Sequence, residues 1–344
     1  MEEIKKKRET TGIDDILVCP GCHGPLSKNK NCFFCSSCNK KYDFQEGIPI
    51  LLPDSFRDSP DFSFKKSQIG FFDEWSQNIK KSRLSTSSFE KFFSTEVGKK
   101  KFNYSERGMT KIIRGLPKNS WILELGCGAG EHSVFLAKLR KDVNLVMIDI
   151  SLNSVLETKK KFIELRLKGK HYFLVADTEN LPFKEKTLSG IIAVMFFHHL
   201  FSLEKSFSEI KRILKTKGVC LIVDLVSDNP LITYPRKLFK LFPESIKQRF
   251  TDDYVLKNGK VPDIKLHNSK EFERVIEDNK LKVVKEDRYD LFLHIFSDLG
   301  VAFPQLKIFM SEKILNFLYS IEKKMLKSRF FSNFAGTRIL WLSR

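Results

Sequence analysis

The chain is poor in tryptophan, with three in 344 residues, and has only seven tyrosines beside 32 phenylalanines. No run reaches the roughly 18 apolar residues that a membrane-spanning helix needs, so no spanning segment is expected. The start, MEEIKKKRETTG, lacks an apolar stretch after its charges, so no secretory signal is expected and a cytoplasmic location is. Arginine is scarce as well: 15 arginines stand against 45 lysines in a formal charge of +18. Arginine is the better bidentate reader of phosphate, so a lysine excess is weak evidence for nucleic acid and fits the codon bias of an AT-rich genome equally. The excess is uneven. Residues 1–120 hold 22 basic against 15 acidic side chains, residues 121–229 hold 16 against 13, and residues 230–344 hold 22 against 14. The hydrophobic content of 42% is nevertheless that of a chain able to bury a core.

Cysteine is also rare, seven in all, and five of the seven fall between positions 19 and 38. Without an export signal such clustering favours a metal over disulfides. The stretch CPGCHGPLSKNKNCFFCSSC supplies Cys19 and Cys22, then Cys32, Cys35 and Cys38. Two C-x2-C knuckles place four thiolates around one tetrahedral zinc ion. Cys35 with Cys38 is the preferred second pair because Phe33-Phe34 reads as a strand leading into it. Cys32 with Cys35 has the same spacing and stays open. Gly21 and Gly24 suit the tight turns of a knuckle, and His23 reads as a turn residue. Four cysteine ligands leave no open position, so the expected zinc is structural.

The run from LVCPGCHGPL to KKYDFQEGIPILLP, residues 16–53, resembles the small zinc ribbon related to tRNA-methyltransferase activator proteins. That resemblance implies a partner module for the domain that follows it.

Trp121 to Leu125 reads as a buried strand, and EHSVFLAKLRK from Glu131 has helical periodicity. Between them Gly126, Gly128 and Gly130 let a backbone approach a ligand where a side chain would fill the space. A second strand, VNLVMIDI, ends at Asp149, 23 residues after Gly126. An acid there can accept hydrogen bonds from both ribose hydroxyls of a nucleoside. The spacing is G-x-G-x-G rather than the dinucleotide G-x-G-x-x-G, and Glu124 precedes it. This pattern resembles class I S-adenosylmethionine-dependent methyltransferases. HYFLVADTENLPF, SGIIAVMFFHHL and LKTKGVCLIVD look like their third, fourth and fifth motifs, in register over residues 105–226. The resemblance implies a Rossmann-like α/β fold with a seven-stranded sheet, here carrying an N-terminal zinc ribbon and C-terminal helical inserts. It implies cofactor contacts from Glu124, Gly126, Cys127, Gly128, Gly130, Asp149, Ile150, Asp177 and Thr178, with Asp177 facing the adenine amino group.

NSKEFERVIEDNKLKVVKEDRYDL then fits a helix and sixth strand, and FAGTRILWLSR fits an antiparallel seventh. The organisation expected is a tail and ribbon over 1–53, a linker or helical segment over 54–104, and the catalytic domain over 105–344. Residues 227–268 and 289–334 are left as inserts at the ligand edge. They hold the apolar stretches KLFKLFP and LFLHIFSDLGVAFPQLKIF and are the expected acceptor lid. Methyl transfer from a sulfonium needs alignment more than acid–base help. His198 and His199 are the candidate bases, with helix capping and wall packing as the bland alternative, and Asp224 is a weaker candidate. The leading acceptor is a small molecule or lipid-linked group. RNA is the alternative, because rRNA guanine-N1 methyltransferases also pair a zinc ribbon with this domain, although their ribbon has a histidine where this one reads CSSC. A non-catalytic partner module is the third reading.

Overall fold

The computed structural model describes residues 12–81, 96–228, 265–291 and 311–344. The stretch KLFKLFP, and all of LFLHIFSDLGVAFPQLKIF beyond Leu291, lie outside the described residues.

The ribbon comprises β1 (Leu26–Asn29), β2 (Cys32–Cys35), β3 (Lys40–Gln45) and β4 (Ile48–Leu51), joined as antiparallel neighbours. Two helices follow, α1 (Phe62–Lys81) and α2 (Glu96–Gly115). The αβ core then runs β5 (Trp121–Leu125), α3 (Glu131–Leu139), β6 (Asn144–Asp149), α4 (Leu152–Glu164), β7 (Lys170–Ala176), β8 (Leu188–Val194), α5 (Glu204–Ile213) and β9 (Leu214–Leu225). It closes with α6 (Ser269–Asp278), β10 (Lys282–Tyr289), α7 (Glu312–Met325) and β11 (Thr337–Ser343).

Core strand order is β7-β6-β5-β8-β9-β11-β10. The first five strands are mutually parallel, and β11 runs antiparallel to both of its neighbours. Parallel strands covered on both faces read as continuous apolar runs, and all five residues of β5 are buried. Helix ends carry local signals too. Ser151 caps α4 by accepting from Ser154 N at 3.1 Å, and Asn268 with Glu271 forms a reciprocal capping box on α6.

The seven expected strands are present, but the sheet does not end there. Ribbon strand β4 pairs in parallel with β7, Ile50 opposite Val175 and Leu51 opposite Ala176, giving eleven strands in sequence. Val18 N also donates to Pro182 O at 3.0 Å, and Lys184 N to Ile16 O at 2.9 Å. Leu17, Phe33 and Leu51 pack in the same core as Leu123, Ile148 and Ile191. The ribbon covers an edge strand that would otherwise present unpaired backbone groups. Expected as a module ahead of the core, it is built into the core's sheet. Among the described residues no helix is long and apolar enough to cross a membrane.

Candidate functional site

Cys19, Cys22, Cys35 and Cys38 each offer a sulfur, and all four lie within 4.8 Å of one another. Cys19 and Cys38 sulfurs are 3.6 Å apart, and those of Cys22 and Cys35 are 3.5 Å apart. A tetrahedron with metal–sulfur bonds of about 2.3 Å has edges of about 3.8 Å, so the donor set fits one ion. Cys32 begins β2 opposite Asp43 and is not part of the cluster. His23 has φ +56° and its N–H bonds Cys19 O, so it is the turn residue. The Tyr42 hydroxyl lies 3.0 Å from Cys19 Sγ, where it can donate to a thiolate.

The glycine turn sits at the carboxyl end of β5. Gly126, Gly128 and Gly130 all have positive φ, which favours glycine. They differ in surroundings. A Cβ on Gly126 would meet the Phe196 ring and one on Gly130 would meet Thr158, whereas one on Gly128 would meet nothing within 4 Å. Gly128 therefore faces open space of the kind a ligand takes. Asp149, ending β6, accepts from Gly128 N through Oδ2 and from Ser151 N through Oδ1, both at 3.0 Å. Each oxygen keeps lone-pair capacity for a further donor, so the site suits a diol. Burial raises the Asp149 pKa, opposed by those backbone donors. Ile150 beside it is half-buried, and Cys127 is buried, which pushes its thiol well up. Glu124 is buried and accepts from Ser133 Oγ, so its carboxyl group points to α3. Thr178 is buried and accepts from Ser206 Oγ at 3.2 Å.

His198 and His199 lie in a short 3-10 turn, Phe197–His199, after β8. Neither caps the next helix, whose N-cap is Leu203. His198 Nδ1 is 2.5 Å from Asp224 Oδ1 at the end of β9. Asp224 also accepts from the backbone N–H groups of Phe196, Phe197 and Leu225. An oxygen pair so occupied acts as acceptor, so His198 Nδ1 donates to it and Nε2 is the ring nitrogen that Asp224 does not engage. His199 Nδ1 donates to Gln68 Oε1 at 2.9 Å, and burial with His198 nearby holds its pKa well below the ordinary value. His199 is neutral at pH 7.

The described residues of the segment over 54–104 do not form a bare linker. From α1, the Lys65 ammonium reaches Asp177 Oδ2 at 3.0 Å and Glu179 Oε2 at 2.8 Å after β7. Gln68 meets His199 after β8, and Asp73 accepts from Ser151 Oγ at 2.6 Å after β6. Asp61, Lys65, Gln68 and Phe72 fall at helical spacing on one face. The recurrence of polar groups at helical spacing is the signal by which the sequence could have marked this face. On the other side of the edge, Tyr104 of α2 stacks on Tyr289 at 4.9 Å, and its hydroxyl is 2.7 Å from that of Tyr319 in α7. Burial, then the charges of Asp290 and Asp224, push the Tyr289 hydroxyl pKa up. The described ends of the two inserts meet this region as well, with Lys265 N donating to His198 O at 3.0 Å.

A family model described as a methyltransferase domain matches residues 123–222. This segment is a class I methyltransferase domain. Over 139 residues the chain is 32% identical to an uncharacterised protein of Methanocaldococcus jannaschii, covering 40% of this chain and 56% of that one. Over 128 residues it is 31% identical to a ubiquinone/menaquinone biosynthesis C-methyltransferase of Rickettsia bellii, covering 35% and 52% respectively. Among solved structures, a geranyl diphosphate C-methyltransferase from Streptomyces coelicolor aligns over 76% of this chain and 85% of that one, at 15% identity and a TM-score of 0.49. The chain spans little more than half the length of these curated relatives. The methyltransferase domain contributes β5 to β9, and the ribbon, α1 and the C-terminal elements lie outside the matched segment.

Proposed function

We propose that the protein is an S-adenosylmethionine-dependent methyltransferase acting on a small-molecule or lipid-linked acceptor, with a structural zinc in its ribbon. The observation that carries this reading is the carboxyl edge of the sheet. There Gly128 opens on free space beside Asp149, and the His198–Asp224 pair stands at neighbouring strand ends. The cofactor supplies the methyl group and the leaving thioether. Asp149 would hold its ribose, and the glycine turn would admit its amino-acid end. The chain's remaining work is to align the acceptor, which can remove roughly 7–11 kcal/mol of barrier.

For a hydroxyl or amine acceptor, His198 Nε2 would take the released proton while Asp224 stabilises the imidazolium. The surroundings favour an apolar acceptor: Met195 and Phe201, either side of the histidine turn, are 43% and 50% exposed. Similarity to a C-methyltransferase of quinone biosynthesis supports the same class of acceptor. Methyl transfer from labelled S-adenosylmethionine to small-molecule, lipid and RNA fractions of a cell extract tests this. Label in the organic-soluble fractions is expected. Label confined to RNA, with binding that weakens by a log–log salt slope of about −0.7 for each phosphate contacted on a single strand, would replace this reading with RNA methylation.

A further inference from the structure

Lysine is almost never buried unless paired, and Lys65 is 5% exposed. Its ammonium lies 2.8 Å from Glu179 Oε2, 3.0 Å from Asp177 Oδ2 and 3.5 Å from Asp61 Oδ2, with the Phe56 ring centroid at 5.5 Å. Three buried carboxylates thus share one buried cation. Asp177 is heavily committed: Oδ1 also accepts from Glu179 N at 3.2 Å, and Oδ2 from Asn180 Nδ2 at 3.4 Å. Asp61 Oδ2, by contrast, is buried and accepts no hydrogen bond. Burial raises the Glu179 pKa, with the Lys65 ammonium opposing it. The cluster is short of donors, and a ligand amino group is one. Along the same helix Gln68 holds His199, and Asp73 holds Ser151, whose N–H in turn supports Asp149. Helix α1 therefore crosses the ends of β6, β7 and β8, the three strands that border the cofactor edge with β5.

We propose that Lys65 is a positioning residue that latches α1 over the cofactor, orienting Asp177 and Glu179, so that cofactor exchange requires this buried ion cluster to open. The inference rests on the reading of this edge as a cofactor site. The physical reason is the cost of separation. Lifting the helix separates the Lys65 ammonium from Asp177 and Glu179, and leaves Glu179 only the exposed Lys205 at 3.9 Å; breaking a buried pair is far costlier than breaking a surface one. A bound ligand that brings a donor to the cluster favours the latched state, so helix and cofactor stabilise each other.

Hydrogen exchange and stopped-flow displacement of S-adenosylhomocysteine test the latch on the full chain. Bound S-adenosylhomocysteine should slow exchange across residues 62–81 by about tenfold or more in the wild type. Lys65→Met should lose that protection and release the ligand about tenfold faster, and Lys65→Arg should restore both. Ligand binding with unchanged exchange in α1 of the wild type overturns the latch alone, whether or not Lys65→Met folds. Wild-type release kinetics in a folded Lys65→Met protein overturn it too. Failure of the wild type to bind the ligand at all overturns the cofactor reading, and the latch with it.

Discussion

Replacing Glu124 by glutamine should alter how stability depends on pH, in the sense opposite to a salt-bridged carboxylate. Glu124 is 3% exposed. Burial, reinforced by Glu131 and Asp149 and opposed by the Ser133 hydrogen bond, raises its pKa from 4.5 to about 8. A carboxyl that holds its proton more tightly in the folded state imposes no penalty below pH 4.5. As pH rises the unfolded chain ionises first, and stability falls until the folded pKa of about 8 is passed. At 1.36 kcal/mol per pH unit, the penalty is about 1 kcal/mol at pH 5 and about 3 kcal/mol at pH 7. Glutamine keeps the carbonyl acceptor for Ser133 Oγ and a similar volume, and it cannot ionise. Urea unfolding of both proteins measures the difference directly. The stability of Glu124→Gln minus that of the wild type should grow by about 2.5 kcal/mol between pH 5 and pH 7. Other titrating groups cancel in that subtraction. Parallel pH profiles would refute the reasoning, because they would mean that the folded protein holds Glu124 ionised at no cost.

Gly128→Val should abolish S-adenosylhomocysteine binding in calorimetry while circular dichroism shows a folded protein, since φ there is +50° and the valine fills open space. Tight binding by that variant would remove the glycine turn from the site. Asp149→Ala should weaken the same binding by about 1.5–3 kcal/mol, the range for hydrogen bonds to a charged group. Metal analysis should find one zinc per chain in the wild type and in Cys32→Ser, and none in Cys38→Ser; the reverse pattern would make Cys32 the ligand. Asp224→Asn should lower kcat by about 10²-fold or more for a hydroxyl or amine acceptor and leave cofactor affinity near wild type. An unchanged kcat would leave His198 no role as a base.

The glycine turn, its flanking strand and helix, and the strand ending at Asp149 were legible because each is a local pattern. Hydrophobic periodicity and turn chemistry act over a few residues, and all three appear within residues 121–149. The two cysteine pairs are read in the same way, and even the choice of Cys35 with Cys38 followed from a strand-like Phe33-Phe34. The antiparallel β11 was legible through resemblance to a known topology. Adjacent Lys65 and Lys66 show the limit. They look alike in the chain, yet the first is buried and the second exposed. The difference arises because Lys65 meets carboxylates 112 and 114 positions away.

What the sequence alone determined is therefore the local pattern in short segments: four cysteines that gather in one cluster, a glycine turn with open space at Gly128, and an acid ending the neighbouring strand. What the tertiary structure decided is which distant segments share an edge. It pairs ribbon strand β4 with β7, sets His198 on Asp224 across 26 positions, and lays α1 over three strand ends. Backbone pairing and ion pairing depend on proximity after folding, and no local period in the chain encodes the partner.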